Sequence, residues 1–362
     1  MRLDSFLTAA TFATGILSTT DSASAQLYRR IKDVAFLGAT SIPTGTMFQG
    51  TEVGGLSGIA YDGNRSRYYA ISDDRSQLAP ARFYTLGLTV DPSTQSIQVQ
   101  LQDVTTLTVN GVPYPNAGID PEGIALYRDG TLFISSEGDA NALLDPFVNR
   151  FRSDGTLRSM LPVPQDYLPT ASQTSGIRNN LAFESLTLSP NDLWLTTATE
   201  NALFQDGPAA SLTAGSPCRI LQYVTLFGGT PVREHVYLTE PIPDAPIPAN
   251  QFATNGLVEL LATDNTGTML ALERAFAVGV GNNVRLYEIR LPLLPWGGQN
   301  PLHKREVFDL NTLNLTLDNL EGMTLGPRLP DGRSLLIVVS DNNFSATQET
   351  QFLAFAVRFR GL

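Results

Sequence analysis

"GIDPEGIALYRDGTLFISSEGD", residues 118–139, opens on acids at Asp120 and Glu122 and closes on acids at Glu137 and Asp139. Between them Ile124 and Leu126, then Leu132 and Ile134, form two short apolar runs around the turn signal Arg128-Asp129-Gly130. The stretch predicts two antiparallel strands, over 122–127 and 131–136. In such a pair the start of the first strand lies beside the end of the second. Glu122 and Glu137 therefore fall at the same end of the hairpin, and something must offset their repulsion.

The phrase recurs. "LSGIAYDGNRSRYYAISDD" (56–74), "FESLTLSPNDLWLTTATEN" (183–201), "LVELLATDNTGTMLALERAF" (257–276) and "LEGMTLGPRLPDGRSLLIVVSDNN" (320–343) each read as apolar strand, turn, apolar strand, acid. Aligning the residue at the start of the first strand selects Ser57, Glu122, Glu184, Val258 and Glu321. The second strands end at Asp73, Glu137, Glu200, Glu273 and Asp341. Successive starts are about 65, 62, 74 and 63 residues apart, and the step from Glu321 through the C-terminus back to about residue 29 is about 69. A near-constant period that closes on itself predicts an all-β ring of repeats, a β-propeller. Each period holds four strands, about 57–62, 67–72, 82–88 and 96–101 in the first. The last has room for three, about 321–326, 334–340 and 351–360. Pairing 351–360 with the N-terminal strand 31–38 completes that blade and removes an exposed sheet edge. Five four-stranded blades follow. Six blades is the alternative, because 162–181, 203–217 and 240–254 have room for further strands. A β-sandwich array explains the short strands but not the closing period.

The chain has 362 residues and a formal net charge of −11. No linker divides it, and the Pro-rich stretch 240–251 lies inside the repeats, so 26–362 is expected to be a single domain. Residues 1–25 carry an early Arg2, a modest apolar core and "ASA" at 23–25, the pattern of a signal peptide. Secretion or periplasmic export of a monomer is the expectation. No apolar run reaches 18 residues, so no membrane span is predicted. The acidic balance argues against nucleic acid as a partner. Cys218 is alone, which leaves no internal disulfide. With only His235 and His303, a histidine-rich zinc site is excluded, and without Gly-x-Ser-x-Gly a serine hydrolase has little support.

What remains is the acids. First strands line the central channel of a propeller and all run the same way, so the blade starts form one ring and the second-strand ends a wider ring at the same mouth. Two carboxylates about 5 Å apart repel by about 3 kcal/mol at an effective dielectric of about 20. Several in one channel raise their pKa values or share a cation, and hard oxygen ligands favour Ca²⁺. Arg75, beside Asp74, and Arg274, beside Glu273, are candidates to neutralise others.

The phrases "SGIAYD…YYAISDDR", "DPEGIAL…LFISSEGD", "FVNRF…DG", "ALERAF" and "NLEGMTL…LLIVVSDNNF", taken in order, resemble the phytase-like domain family over about residues 30–360. The resemblance implies a β-propeller and phosphoester hydrolysis. "GGLSGIAYD…AISDDR" and "PEGIAL" are also distantly similar to calcium-activated nucleotidases (apyrases), five-bladed propellers with Ca²⁺ in the central tunnel. Carried over, that likeness implies a metal held by Ser57, Glu122, Glu184, Glu321 and the backbone carbonyl of Val258, where the acidic pattern breaks. Calcium-dependent propeller phytases cradle phosphate with several lysines, and this chain has only Lys32 and Lys304. Arginine would have to replace them, with Arg75, Arg82, Arg150, Arg178 and Arg274 as candidates. Glu137 and Glu200 end their strands without an adjacent arginine, so either is free to orient water. The expected substrate is a small-molecule phosphoester. A calcium-dependent lactonase or carboxylesterase, and a non-catalytic binding propeller with structural calcium, are the alternatives.

Overall fold

The computed structural model describes residues 30–292 and 300–360. The signal-peptide expectation, 1–25, lies outside them. The described residues form five four-stranded antiparallel sheets. Blade 1 comprises Leu56–Asp62, Arg67–Ser72, Arg82–Asp91 and Ser96–Thr106; blade 2 comprises Pro121–Leu126, Leu132–Ser136, Phe147–Phe151 and Leu157–Met160. Blade 3 comprises Phe183–Leu188, Trp194–Thr199, Pro217–Val224 and Thr230–Leu238; blade 4 comprises Ala253–Ala262, Thr268–Ala277, Gly281–Arg290 and Lys304–Asp309. In blade 5, Asn319–Arg328, Ser334–Asp341 and Glu349–Arg360 are completed by the N-terminal strand Arg30–Pro43. That strand runs antiparallel to the C-terminal one, with Val34 opposite Val357 and Thr40 opposite Phe352.

Five apolar cores separate the five blades. Tyr69, Ile71 and Phe83 of blade 1 meet Ile124, Ile134 and Phe151 of blade 2. Phe133 and Val148 meet Phe183, Leu195 and Tyr223 across the next gap. Ile220 and Tyr237 meet Leu260 and Met269. Leu270 and Leu286 meet Val338 and Phe355. Ile337 and Phe352 close the circle on Leu56 and Tyr84. Each central strand is therefore covered on both faces, which is why "SLLIVVSD" is a continuous buried run rather than an alternating one. The three segments that left a sixth blade open add no further blade; the first carries only a 3-10 turn at Gln165–Tyr167.

One irregularity repeats in all five blades. The ladder between first and second strand skips a register between Leu56 and Gly58, Pro121 and Ile124, Phe183 and Ser185, Leu257 and Glu259, and Leu320 and Gly322. The skipped residues include Ser57, Glu122, Glu184, Val258 and Glu321, the positions that the repeat alignment selects. A β-bulge re-aims a side chain that a regular ladder would turn into the sheet.

Candidate metal centre and catalytic mouth

The bulges place Glu122, Glu184 and Glu321 in the lining of a cavity of about 650 Å³ at the mouth of the ring. Asp73, Glu200 and Asp341, from the ends of second strands, line it too, as do Asp120, Arg75 and Arg274. Glu137 sits against this group: its ligand oxygen lies within 4.8 Å of those of Asp120 and Glu122. With Asp318, which also lines the cavity, nine carboxyls among the described residues share the region with two guanidiniums, and each close pair of ionised carboxylates costs about 3 kcal/mol.

The arginines offset part of that repulsion. Arg75 pairs with Asp120 and donates to Asn180 at 2.7 Å. Arg274, whose side chain is 11% exposed, donates to Glu321 at 2.7 Å and lies 3.9 Å from Glu200. Burial accounts for the rest, by favouring neutral carboxyls. Burial, then the neighbouring Glu184 and Asp120, holds Glu122 well above the usual carboxylate range. Burial, then Asp120 and Glu200, does the same for Glu137. Burial pushes Asp120 up to about 6 against the opposing pull of Arg75. It pushes Glu200 up to about 7 although Arg274 lies beside it, and Asp341 up to about 7, with Glu321 adding to the effect.

Blade 4 breaks the pattern at both rings. Leu257 is opposite Glu273, as Leu56 is opposite Ser72, Phe183 opposite Thr199 and Leu320 opposite Ser340. The residue that follows, the counterpart of Asp73, Glu200 and Asp341, is Arg274. The alignment of Glu273 with those acids is therefore one residue out of register. Glu273 instead points away from the mouth, where it accepts from Tyr237 Oη at 2.6 Å, Lys304 Nζ at 2.5 Å and the Glu240 amide at 2.9 Å. Beside Arg274, Gly256 has a positional reason. A Cβ there would lie 2.1 Å from Glu200 Oε1, so only glycine lets Glu200 lie against the backbone of blade 4.

Other candidates are not gathered at the mouth. Arg82 is buried on the third strand of blade 1 and donates to Asp74 at 2.7 Å. Arg150 pairs with Asp129 in the hairpin turn, at the end of blade 2 away from Glu122. Arg178 donates to the carbonyls of Ala202 and Gly207. None of these three lines the cavity, because third-strand and loop positions close in sequence to an acid point elsewhere. The Ser57 hydroxyl donates to the Glu122 carbonyl at 2.9 Å, and the Val258 side chain packs into the core between blades 4 and 5.

Two acids carry parts that the repeat phrase did not assign. Asp120, two residues before Glu122, completes a buried triad with Glu122 and Glu137. Glu137 Oε1 accepts from the Ala182 amide, while Oε2 is buried without a hydrogen-bond partner. Glu259 follows Val258 where three other blades have glycine. Its Oε1 accepts from the amides of Leu186 at 3.2 Å and Leu260 at 2.9 Å, tying the first strands of blades 3 and 4 together. Cys218, also buried, lies with Sγ 3.0 Å from the Glu200 carbonyl, behind the site.

Ring and mouth together define a five-bladed β-propeller with a buried carboxylate centre. The chain belongs to the phytase-like family, whose model is described as "Esterase-like activity of phytase" and matches residues 51–344. Among solved structures, an endo-arabinase from Bacteroides thetaiotaomicron is 12% identical, with 87% of this chain and 96% of that one covered at a TM-score of 0.46. The Malassezia sympodialis allergen Mala s 1 is 12% identical over 92% and 91%, at 0.42. The catalytic domain of a Coprinopsis cinerea α-L-arabinofuranosidase is 8% identical over 89% and 94%, at 0.43. Likenesses of this size bear on no step of the chemistry. No curated protein matches the chain. Among the described residues, no helix is long and apolar enough to cross a membrane.

Proposed function

We propose that the protein is a calcium-dependent phosphoester hydrolase acting at the acidic mouth. The observation that carries this reading is the triad Asp120, Glu122 and Glu137, with Glu137 Oε2 buried and unpartnered. Three converging carboxylates are a donor set suited to a hard cation. Those three residues would hold Ca²⁺, which when bound supplies positive charge to the mouth and polarises an ester oxygen. Family membership supports ester hydrolysis as the chemistry.

The remaining roles fall to the chain's own groups. Arg274, anchored by Glu321, has its guanidinium at the cavity and donates to a phosphoryl oxygen. Arg75 orients Asp120 within the triad. Glu200, seated against Gly256 and beside Arg274, positions the attacking water and takes its proton. Glu137 then acts as a ligand rather than as the base. A second reading has one observation in its favour: both arginines at the mouth are already ion-paired. An uncharged carboxylester or lactone asks for fewer free cations. The test is product release from an aryl phosphate, a nucleotide and phytate, beside an aryl ester and a lactone, with saturating calcium and with chelator. Calcium-dependent phosphate release is expected. Turnover of the aryl ester or lactone alone would transfer the site to the second reading, and no turnover of any would leave a binding propeller.

A further inference from the structure

We infer that the mouth selects an ester whose organic part is a planar, apolar group, and that blade 4 is the wall that recognises it. The inference deepens the phosphoester reading and rests on it for the identity of the reacting group. Blade 4 contributes no acid at either ring position, having Val258 and Arg274 there, and its side of the cavity is aromatic instead. Thr254 is opposite Phe276 and Gly256 is opposite Arg274. Residues two apart on a strand project from one face, so Phe276 stands next to Arg274 on the same wall, and both line the cavity. Phe252 lies against Phe276 with ring centroids 6.4 Å apart, and it is 63% exposed. Leu317 extends the patch.

Two further facts narrow the ligand. Asn282 lines the same wall, and its Oδ1 is buried without a partner while its amide donates to the Leu317 carbonyl at 3.2 Å. That oxygen is closed to the cavity as it stands, and it becomes an acceptor for a donor at the edge of a bound ring when the side-chain amide turns about its last torsion. Among the described residues, the cations lining the cavity are Arg75 and Arg274, each already facing an acid, on a floor of carboxylates. Such a floor repels a ligand that carries many phosphates. An apolar wall next to one guanidinium suits a single anionic or polarised ester group joined to an aryl-like group, a few placed polar atoms within a largely apolar contact.

The test is equilibrium binding to the full chain at saturating calcium, with phenylphosphonate against methylphosphonate, benzamide against acetamide, and inositol hexakisphosphate. The proteins are the parent, Phe252→Ala, and the double variant Phe252→Ala/Phe276→Ala. Phe252 is exposed, so its replacement leaves the core intact. The parent is expected to prefer phenylphosphonate by about tenfold. Phe252→Ala should reduce that preference and the double variant should bring it to about unity. Equal binding of the two phosphonates, a preference that survives the double substitution, or tighter binding of inositol hexakisphosphate would overturn the inference. If neither phosphonate binds, the phosphoester reading fails and the neutral pair decides the wall. A benzamide preference that the double variant loses supports it, and no preference overturns it.

Discussion

Glu137, Glu200 and Arg274 lie in one small region, and their surroundings separate their roles. Glu137 has one oxygen on the Ala182 amide and one unpartnered, so Glu137→Gln removes a charged ligand where nothing replaces it. Calcium affinity should fall by about tenfold or more, read by calorimetry, as for loss of one of few charged ligands. Glu200→Gln should leave calcium affinity within a few-fold and lower kcat by about a hundredfold. Arg274→Ala should mainly raise KM, because it removes a contact made to the bound ester as well as to the transition state. It also leaves buried Glu321 without its cation, so the metal-free variant should be less stable by about 3 kcal/mol in denaturant titration.

The blade is the scale at which the sequence was most and least legible. Strand, turn, strand, acid recurs because each innermost hairpin repeats one task, and the blade starts picked from it fall at the five bulges. The slip at Glu273 arose because blade 4 has an acid at the place where blades 1, 2, 3 and 5 have Ser72, Ser136, Thr199 and Ser340. Only the pairing of Leu257 with Glu273 shows that Arg274 is the mouth residue. Arg82 and Arg150 were unreadable for another reason: nearness in sequence says nothing about which way a third strand turns its side chains. Asp120 was visible as "DPEG", but it precedes the strand, and a strand pattern assigns it no direction. Glu259 has the most local signature, an acid in place of glycine. Replacing it with alanine leaves the amides of Leu186 and Leu260 buried without an acceptor. Glu259→Ala should lower unfolding free energy by about 3 kcal/mol, measured by denaturant titration.

The whole molecule is a ring closed by one strand and strained by one cluster of acids. Deleting Arg30–Pro43 uncovers the edge of Glu349–Arg360 and opens part of the core between blades 4 and 5, so cooperative thermal unfolding should be lost. A deletion variant that melts like the parent would refute closure. The acids set the pH dependence. Burial raises the folded-state pKa of Asp120 to about 6 and of Glu200 and Asp341 to about 7, above the unfolded values near 4. Folding therefore takes up protons, and the stability they confer is full below about pH 4 and lost as pH rises through 6 to 7. The metal-free protein should melt at progressively lower temperature across that window, and calcium should flatten the decline by binding the folded state alone. The central claim is that a cation and not protons holds these carboxylates together at neutral pH. Its most direct test is calorimetric titration of the metal-free protein with calcium at pH 7 in buffers of different ionisation enthalpy. The account predicts saturable binding with release of protons, seen as a buffer-dependent heat that Glu137→Gln reduces. No binding heat at millimolar calcium in any buffer would contradict it.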